Sequence, residues 1–213
     1  MSCEIAFGVD ARYVKYAGVA MTSAAMQSEG EEIGFHLVCD GIEDADRKRL
    51  EAFLAAFPWT DVHIYDARAA LDAIPFPSGI PRERINRSVF TRILMPELVP
   101  HSLDRILYLD ADTLCVGSMG ALWSLDLAGA SIAAAPEGEA QRKALRIGRK
   151  GSAYFNAGVM LIDLVRWRAQ NLTERTLTAW EEHGALFPLL EQDALNYVLD
   201  GDFLPLGRNY VQM

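Results

Sequence analysis

The stretch Arg105-Ile-Leu-Tyr-Leu109-Asp110-Ala111-Asp112 joins an almost continuous apolar run to a pair of acidic residues. An apolar run of this length is typical of a central strand that is buried on both faces of a parallel sheet. Open α/β sheets bind their ligands beside the carboxyl ends of such strands. The sequence therefore predicts a ligand site at Asp110 and Asp112, where this strand ends.

Apolar runs alternate with amphipathic stretches through most of the chain, which predicts the α/β class with a mostly parallel sheet flanked by helices. We predict strands at residues 4–9, 33–39, 62–65, 105–109 and 131–135 and within 154–162. We predict helices at residues 14–26, 43–57, 86–98, 164–182 and 190–199. The proline-containing residues 66–84, long enough for a functional segment, and the basic residues 141–150 are predicted to be loops. A chain of 213 residues that is 51% hydrophobic fits one domain with one sizeable core.

The chain is acidic, with a formal net charge of −9 and a pI near 4.9. This balance argues against a nucleic-acid partner, because binding to phosphate backbones requires clustered Lys and Arg. An anionic small molecule could still bind beside a divalent cation held by carboxylates, since the ion reverses the local charge. The acidic composition thus favours a metal-assisted phosphate site.

The three cysteines have no paired spacing, so we predict reduced side chains and neither a disulfide framework nor a zinc site. The amino-terminal residues lack the pattern of a signal peptide, and no apolar run approaches the ~18 residues that a membrane span requires. We therefore predict a cytoplasmic protein without a transmembrane segment.

The D-x-D spacing does not by itself identify the site, because it occurs three times in this chain. The three pairs are Asp44 and Asp46, Asp110 and Asp112, and Asp200 and Asp202. The first pair opens a predicted helix, where acidic residues complement the helix dipole. The third flanks a glycine in a predicted turn. Only the second pair lies at the carboxyl end of a buried strand.

On an extended backbone, Asp110 and Asp112 would point to the same side and could share one hard cation. Two alternatives remain for this pair. One is a solvated turn at the end of the strand. The other is the haloacid-dehalogenase phosphatase signature D-x-D-x-T, although Leu114 takes the position of its threonine and no later Asp-Asp pair is present.

Further motifs accompany this pair in a fixed order. They are Phe7-Gly-Val-Asp-Ala-Arg-Tyr13, Ile106-Leu-Tyr-Leu-Asp-Ala-Asp-Thr-Leu114, Leu122-Trp-Ser-Leu-Asp-Leu127, Tyr154-Phe-Asn-Ala-Gly-Val-Met-Leu-Ile-Asp163 and Glu191-Gln-Asp-Ala-Leu-Asn196. In sequence, order and spacing, these motifs resemble the family 8 glycosyltransferases, and the likeness spans nearly all of the chain. The resemblance implies a GT-A fold, the Rossmann-like fold of nucleotide-diphospho-sugar transferases. It also implies a UDP-hexose donor, a Mn²⁺ ion or else Mg²⁺, and transfer with retention of configuration.

The resemblance implies a role for each matching residue. Asp10 would contact the uracil, Arg92 the donor side, and Asp110 and Asp112 the metal that bridges the diphosphate. The remaining residues are Ala111 in the donor site, Asn156 and Ala157 in the sugar pocket, Gln192 at the anomeric carbon, and Glu191 and Asp193 near the sugar hydroxyls. An amide is a poor nucleophile, so Gln192 favours attack of the acceptor from the face of the leaving group.

Some of these positions also have purely structural readings. Asp10 could simply end a strand, and Asn156 could bond to neighbouring backbone. Arg92 lies in a basic part of the chain, where a solvated surface is the ordinary expectation. The same expectation keeps the cluster at Arg142, Lys143, Arg146, Arg149 and Lys150 outside the predicted site.

The sequence departs from the family pattern in one important respect. Family members carry an HGxxKPW-like motif in a later segment, and its histidine is the third protein ligand of the metal. This motif is absent from the sequence. We therefore expect one GT-A domain over residues 1–213 without the family's C-terminal segment, and a metal held by two protein ligands.

Two functions remain open from the sequence. One is transfer of galactose or glucose to a glycan, lipid-linked saccharide or lipopolysaccharide-type acceptor. The other is binding of UDP-sugar with little or no catalysis. Peripheral association with a membrane is left undecided.

Overall fold

Seven strands form one sheet in the described part of the chain, which comprises residues 2–28, 30–151 and 153–211 of a computed structural model. The strands are β1 (Cys3–Asp10), β2 (Ile33–Asp40), β3 (Thr60–Asp66), β4 (Arg105–Leu109), β5 (Ile132–Pro136), β6 (Phe155–Asp163) and β7 (Leu204–Pro205). Their order across the sheet is β3-β2-β1-β4-β6-β5-β7. All neighbours are parallel except at β6, which runs antiparallel to both β4 and β5. The predicted mostly parallel sheet is confirmed.

Helices cover both faces of this sheet. They are α1 (Val14–Gln27), α2 (Asp44–Ala56), α3 (Arg68–Asp72), α4 (Thr91–Leu98), α5 (Gly120–Trp123), α6 (Ala140–Arg146), α7 (Leu164–Ala169), α8 (Leu172–His183) and α9 (Leu190–Leu199). Residues of α1, α2 and α5 share one apolar core with one face of the sheet. Residues of α3, α4 and α7 to α9 share the second core, in which Trp167 and Trp180 are fully buried. The α/β class follows from these three layers.

The sheet brings distant parts of the chain to one edge. Because β1, β2 and β4 are parallel, their carboxyl ends lie together. The reversed strand β6 starts at this same edge, since Leu109 at the end of β4 is paired with Val159. The backbone N–H of Asp110 donates to the carbonyl of Gly158 at 2.7 Å. Residues 155–158 therefore lie beside the acidic pair.

Two predicted helices are interrupted in the structure. The helix predicted at residues 86–98 begins with a 3-10 turn, Arg87–Phe90, before α4, and the Asn86 side chain accepts a hydrogen bond from the Ser88 N–H at its start. The helix predicted at residues 164–182 is two helices, α7 and α8. They are separated because Asn171 adopts a left-handed backbone conformation with φ of 51°.

Both predicted loops contain helical structure. Residues 66–84 include α3 and the 3-10 turn Arg82–Arg84. The basic residues 141–150 were expected to form an exposed loop, and this expectation is wrong, because most of them belong to α6 and to the turn that ends it at Gly148, with φ of 82°. Ile147, at the end of this helix, belongs to the second core, and Ala140 packs against that core.

None of the helices within the described ranges is both long and apolar enough to span a bilayer.

Candidate active site

The acidic pair lies in a turn, not on an extended backbone as expected. The N–H of Thr113 donates to the carbonyl of Asp110 at 3.1 Å, so the chain turns as soon as its pairing with β6 ends. Asp110 is partly buried, whereas Asp112 is exposed. The turn thus presents one carboxylate at the edge of the core and one to solvent.

Arg92 lies inside the protein beside Asp110. It is therefore not part of a solvated surface, which its basic neighbours in the sequence had suggested. It is 9% exposed and its Nη2 donates to Asp110 Oδ1 at 2.8 Å. Its Nε lies 3.3 Å from Glu191 Oε1, and its guanidinium lies 5.2 Å from the centre of the Tyr108 ring. Arg92 therefore joins the acidic turn to the start of α9.

Arg92 reaches this position because α4 packs closely on β1. Gly8 faces the first residue of that helix, and a Cβ atom on Gly8 would lie 1.9 Å from Thr91 Oγ1. The missing side chain brings the amino-terminal end of α4 down to the edge of the sheet where the carboxylates lie.

Burial raises the pKa of Asp110, and the negative charge of Asp112 raises it further, while Arg92 opposes both effects. Burial likewise raises the pKa of Glu191 to about 7, with Arg92 again opposing the shift. Burial thus disfavours the ionised form of both carboxylates in spite of Arg92. A cation bound at Asp110 would favour the ionised form of that carboxylate.

The donor atoms of the turn fit a hard divalent cation. Arg92 and Tyr108 both bond to Asp110 Oδ1, which leaves Oδ2 for another ligand. A Cβ atom on Gly158 would lie 2.7 Å from that Oδ2, so the glycine keeps a small space open beside it. Within the described ranges, no group of three or more His, Cys, Asp or Glu side chains could hold a metal ion. Among the described residues the turn thus offers two carboxylates, and other ligands would have to complete the coordination.

The start of β6 and the start of α9 are joined by Gln192. Its Oε1 accepts a hydrogen bond from the Ala157 N–H at 3.0 Å, and its Nε2 donates to the Tyr154 hydroxyl at 3.3 Å. Asn156 projects from the same strand start, where its Nδ2 donates to Glu137 Oε1 at 3.0 Å. The structure thus brings Asn156, Ala157 and Gln192 together, next to the acidic turn.

Asn196 reinforces this junction one helical turn later. Its side chain accepts from the Phe155 N–H at 2.9 Å and donates to the Phe155 carbonyl at 3.0 Å, so it pairs with the strand backbone as a neighbouring strand would. Because these groups are buried, the loss of Asn196 would leave backbone atoms without partners.

Asp193 is not at the surface of the site. It is 0% exposed, and its carboxylate accepts hydrogen bonds from Arg146, from the Tyr154 hydroxyl and from the Leu189 N–H. Glu191 and Asp193 were both expected near the sugar hydroxyls, but they are 5% and 0% exposed, whereas Gln192 between them is partly exposed.

Asp10 ends β1 at the same edge, at some distance along the sheet. It is 8% exposed, and its Oδ1 accepts from the N–H groups of Arg12 and Tyr13 at 2.9 and 3.1 Å. Its Oδ2 accepts from Asn86 at 3.3 Å. These bonds lower the pKa of Asp10 against the opposing effect of burial, so the group stays ionised at the start of α1.

Several residues around the site were not among the predicted site residues. They are Tyr108, Glu137, Lys143, Arg146, Tyr154 and Asn196. Lys143 and Arg146 both point from α6 to acidic partners at the site, Glu137 and Asp193. A spacing of three residues on a helix places two side chains on one face. This spacing could have indicated from the sequence that the two side chains share one direction.

An open cleft of about 750 Å³ adjoins the exposed side of the turn. Asp112 and Thr113 form one end of it, and most of its lining is apolar, including Leu109, Leu114 and Val116. Its volume lies within the ~300–1,000 Å³ of ligand pockets.

The other two D-x-D pairs have the structural roles expected from the sequence. Asp44 and Asp46 lie in the first turn of α2, and Asp46 bonds to Arg49. Asp200 and Gly201 both have positive φ angles in the turn after α9.

Comparison with known proteins gives a consistent result. The model of the family described as Glycosyl transferase family 8 matches residues 4–213. Lipopolysaccharide 1,2-glucosyltransferase of Escherichia coli K12 is 31% identical over 212 residues, covering 97% of this chain and 61% of that protein. Lipopolysaccharide 1,3-galactosyltransferase of Salmonella typhimurium is 28% identical, covering 92% of this chain and 59% of that protein. This chain thus spans about three fifths of the length of these two relatives.

Among solved structures, the galactosyltransferase LgtC, crystallised with donor and acceptor sugar analogues, superposes with a TM-score of 0.81. It is 29% identical, and the match covers 95% of this chain and 72% of LgtC. The fold is therefore the GT-A fold of nucleotide-sugar glycosyltransferases. The chain belongs to glycosyltransferase family 8.

Proposed function

We propose that this chain is a retaining hexosyltransferase that uses a UDP-sugar donor, glucose or galactose, and a Mn²⁺ ion, for which Mg²⁺ can substitute. The observation that carries the proposal is the convergence of Asp110, Asn156 and Gln192 at one edge of the sheet. These side chains come from three separate segments, and each is held there by specific hydrogen bonds.

In the proposed donor complex, Asp110 and Asp112 would hold the cation, with Ala111 between them in the donor site. The cation would stabilise the charge that develops on the departing diphosphate. Arg92 fixes the carboxylate of Asp110 and adds positive charge on the donor side. Water could supply the remaining ligands, since manganese readily accepts oxygen ligands.

The sugar lies against Asn156, beside the buried Ala157 that holds Gln192, and its anomeric carbon faces Gln192. Gln192 is held by two hydrogen bonds and has no charge, so its role is to orient the sugar and not to attack it. The acceptor hydroxyl forms its bond to the anomeric carbon on the face from which the diphosphate leaves. The bond to the phosphate oxygen breaks, and that oxygen takes the proton of the acceptor. The configuration is thereby retained.

At the other end of the donor, Asp10 binds the uracil. Its bonds from Arg12, Tyr13 and Asn86 fix its orientation before the ligand arrives. Such preorganisation reduces the ordering cost of binding.

The acceptor in this proposal is a glycan or a lipid-linked saccharide of the lipopolysaccharide type. The similarity to the two lipopolysaccharide glycosyltransferases supports it. A cytoplasmic location is also part of the proposal. It is supported by the three cysteines, which are all free thiols, with Cys39 buried, because disulfides form in oxidising compartments.

A second candidate function is binding of UDP-sugar without appreciable turnover. One observation favours it, namely that the described residues supply two carboxylates and no third side-chain ligand. In the proposal, residues 1–213 form one domain.

The experiment that tests the proposal is donor hydrolysis with a panel of UDP-hexoses and Mn²⁺, followed by NMR of the released sugar. Turnover of UDP-glucose or UDP-galactose with a retained anomer, and its loss in Gln192→Ala, would support the transferase. Binding of UDP without turnover of any donor would favour the second candidate. If UDP does not bind at all, both candidates are wrong.

A further inference from the structure

The helix α6 directs one of its arginines into the site. Arg146 Nη2 lies 3.0 Å from Asp193 Oδ1 and 3.3 Å from Oδ2. Asp193 is completely buried, and a buried carboxylate requires both a counter-charge and hydrogen-bond donors. Arg146 supplies the charge from outside the α9 helix, and the Leu189 N–H supplies a further donor at 2.7 Å.

The Tyr154 hydroxyl connects this ion pair to Gln192. Its proton is donated to Asp193 Oδ1. Because the hydroxyl proton is used in that bond, the Tyr154 oxygen can only accept a hydrogen bond from its other neighbour. It accepts one from Gln192 Nε2 at 3.3 Å. The charge on Asp193 thus sets the direction of the next hydrogen bond.

The orientation of the Gln192 amide follows from this direction. The amide oxygen Oε1 accepts a hydrogen bond from the Ala157 N–H, and the amide nitrogen Nε2 needs an acceptor. If the Tyr154 proton were released from Asp193, the hydroxyl could donate to Gln192 instead. A donor would then face Nε2, and the amide would be held by the Ala157 N–H alone.

We propose that Arg146 is a positioning residue, which fixes the Gln192 amide through Asp193 and Tyr154. This inference rests on the proposed function in so far as Gln192 faces the sugar. In this proposal Arg146 acts through these two residues and not by contact with the donor. Its effect should therefore appear in the reaction step and not in the affinity for UDP.

The test compares Arg146→Met, Tyr154→Phe and Arg142→Met in the whole chain. Arg142 is the matched control, because it lies on the same helix, carries the same charge and pairs only with the exposed Glu139. In hydrolysis of the donor that the unaltered protein uses, Arg146→Met and Tyr154→Phe should each lower kcat by about ten- to hundred-fold, as expected for a misplaced reacting group. Affinity for UDP, measured by calorimetry with Mn²⁺, should stay within about two-fold, and Arg142→Met should leave both quantities unchanged.

The double variant Arg146→Met/Tyr154→Phe separates a relay from two independent effects. If Arg146 acts through Tyr154, the double variant should be no slower than the slower single variant. Arg146→Lys, which keeps the charge, should recover part of kcat. A folded Arg146→Met protein with normal kcat, or losses that multiply in the double variant, would overturn the inference. Tyr154→Phe carries the same test if Arg146→Met does not fold.

A readout that needs no turnover keeps this inference distinct from the proposed function. The side-chain amide signal of Gln192 in a ¹⁵N–¹H spectrum, assigned by its loss in Gln192→Met, should shift in Arg146→Met and Tyr154→Phe but not in Arg142→Met. A signal that stays in place in both variants contradicts the positioning role. If the signal shifts but the unaltered protein turns over no donor, the proposed function is wrong and the positioning role stands.

Discussion

Replacing Glu191 by glutamine should remove a pH dependence from the stability of the metal-free protein. Glu191 is 5% exposed, and burial raises its pKa from 4.5 to about 7 despite the nearby Arg92. Because the folded protein holds this proton more tightly than the unfolded chain, stability falls as pH rises through this range. The loss is complete once the pH exceeds the folded-state pKa.

The magnitude follows from the shift. A change from 4.5 to about 7 corresponds to roughly 3 kcal/mol of unfavourable ionisation. Between about pH 5.5 and pH 8.5, a range that lies above the pI, the free energy of unfolding should change by roughly 2 kcal/mol from this ionisation. Glutamine resembles the protonated side chain, so Glu191→Gln should gain this amount relative to the unaltered protein as the pH rises.

The assay is urea unfolding followed by tryptophan fluorescence across this pH range, with a chelator present. Glu139→Gln is the control, since Glu139 is 63% exposed and should show no comparable trend. A difference between Glu191→Gln and the unaltered protein that does not change with pH would refute the reasoning. A variant that becomes relatively less stable at high pH would show that the attraction to Arg92 exceeds the cost of burial.

Two glycines give further predictions. Gly158→Ala should weaken Mn²⁺-dependent UDP binding by about ten- to hundred-fold, because its Cβ would lie 2.7 Å from Asp110 Oδ2, whereas Gly138→Ala, with nothing within 4 Å of its Cβ, should bind normally. Calorimetry decides this, and equal affinities for the two variants would contradict it. Gly8→Ala should lower the free energy of unfolding by about 1–3 kcal/mol through overpacking, since its Cβ would lie 1.9 Å from Thr91 Oγ1. Urea titration should show part of that loss recovered on adding Thr91→Ala, and no recovery would mean that the strain lies elsewhere.

Most strands of the sheet could be predicted because a strand buried on both faces requires a run of apolar residues. The apolar runs at residues 33–39 and 105–109 correspond to β2 and β4, whose residues are nearly all buried. The short strand β7 was missed because it has only two residues and pairs with β5, far away in sequence. Its existence depends on a tertiary contact that no local pattern records.

The helices were predicted less well where local conformation or charge dominated. The break at Asn171 depends on one residue with a left-handed backbone, which asparagine tolerates but does not require. The helix α6 was not predicted because it is short, carries three basic residues and buries few apolar side chains. Two of its charges, on Lys143 and Arg146, are directed to acidic partners at the site.

The candidate site could be predicted at the level of its members but not of its internal contacts. Family resemblance selected Asp110, Asn156 and Gln192, and the structure brings these residues together. The complete burial of Asp193 could not be foreseen, because an acidic residue is ordinarily exposed unless a partner is present. Here the partner, Arg146, lies 47 positions earlier in the sequence.

The most direct test of the proposed metal site is calorimetric titration with UDP in the presence of Mn²⁺. Asp112→Asn should weaken UDP binding by at least about ten-fold, since it removes one of two anionic ligands, and a chelator should have a similar effect on the unaltered protein. Asp202→Asn, which changes an exposed aspartate of a different D-x-D pair, should bind UDP normally. Equal UDP affinity in Asp112→Asn and the unaltered protein, with or without metal, would contradict the assignment of Asp110 and Asp112 as the metal site.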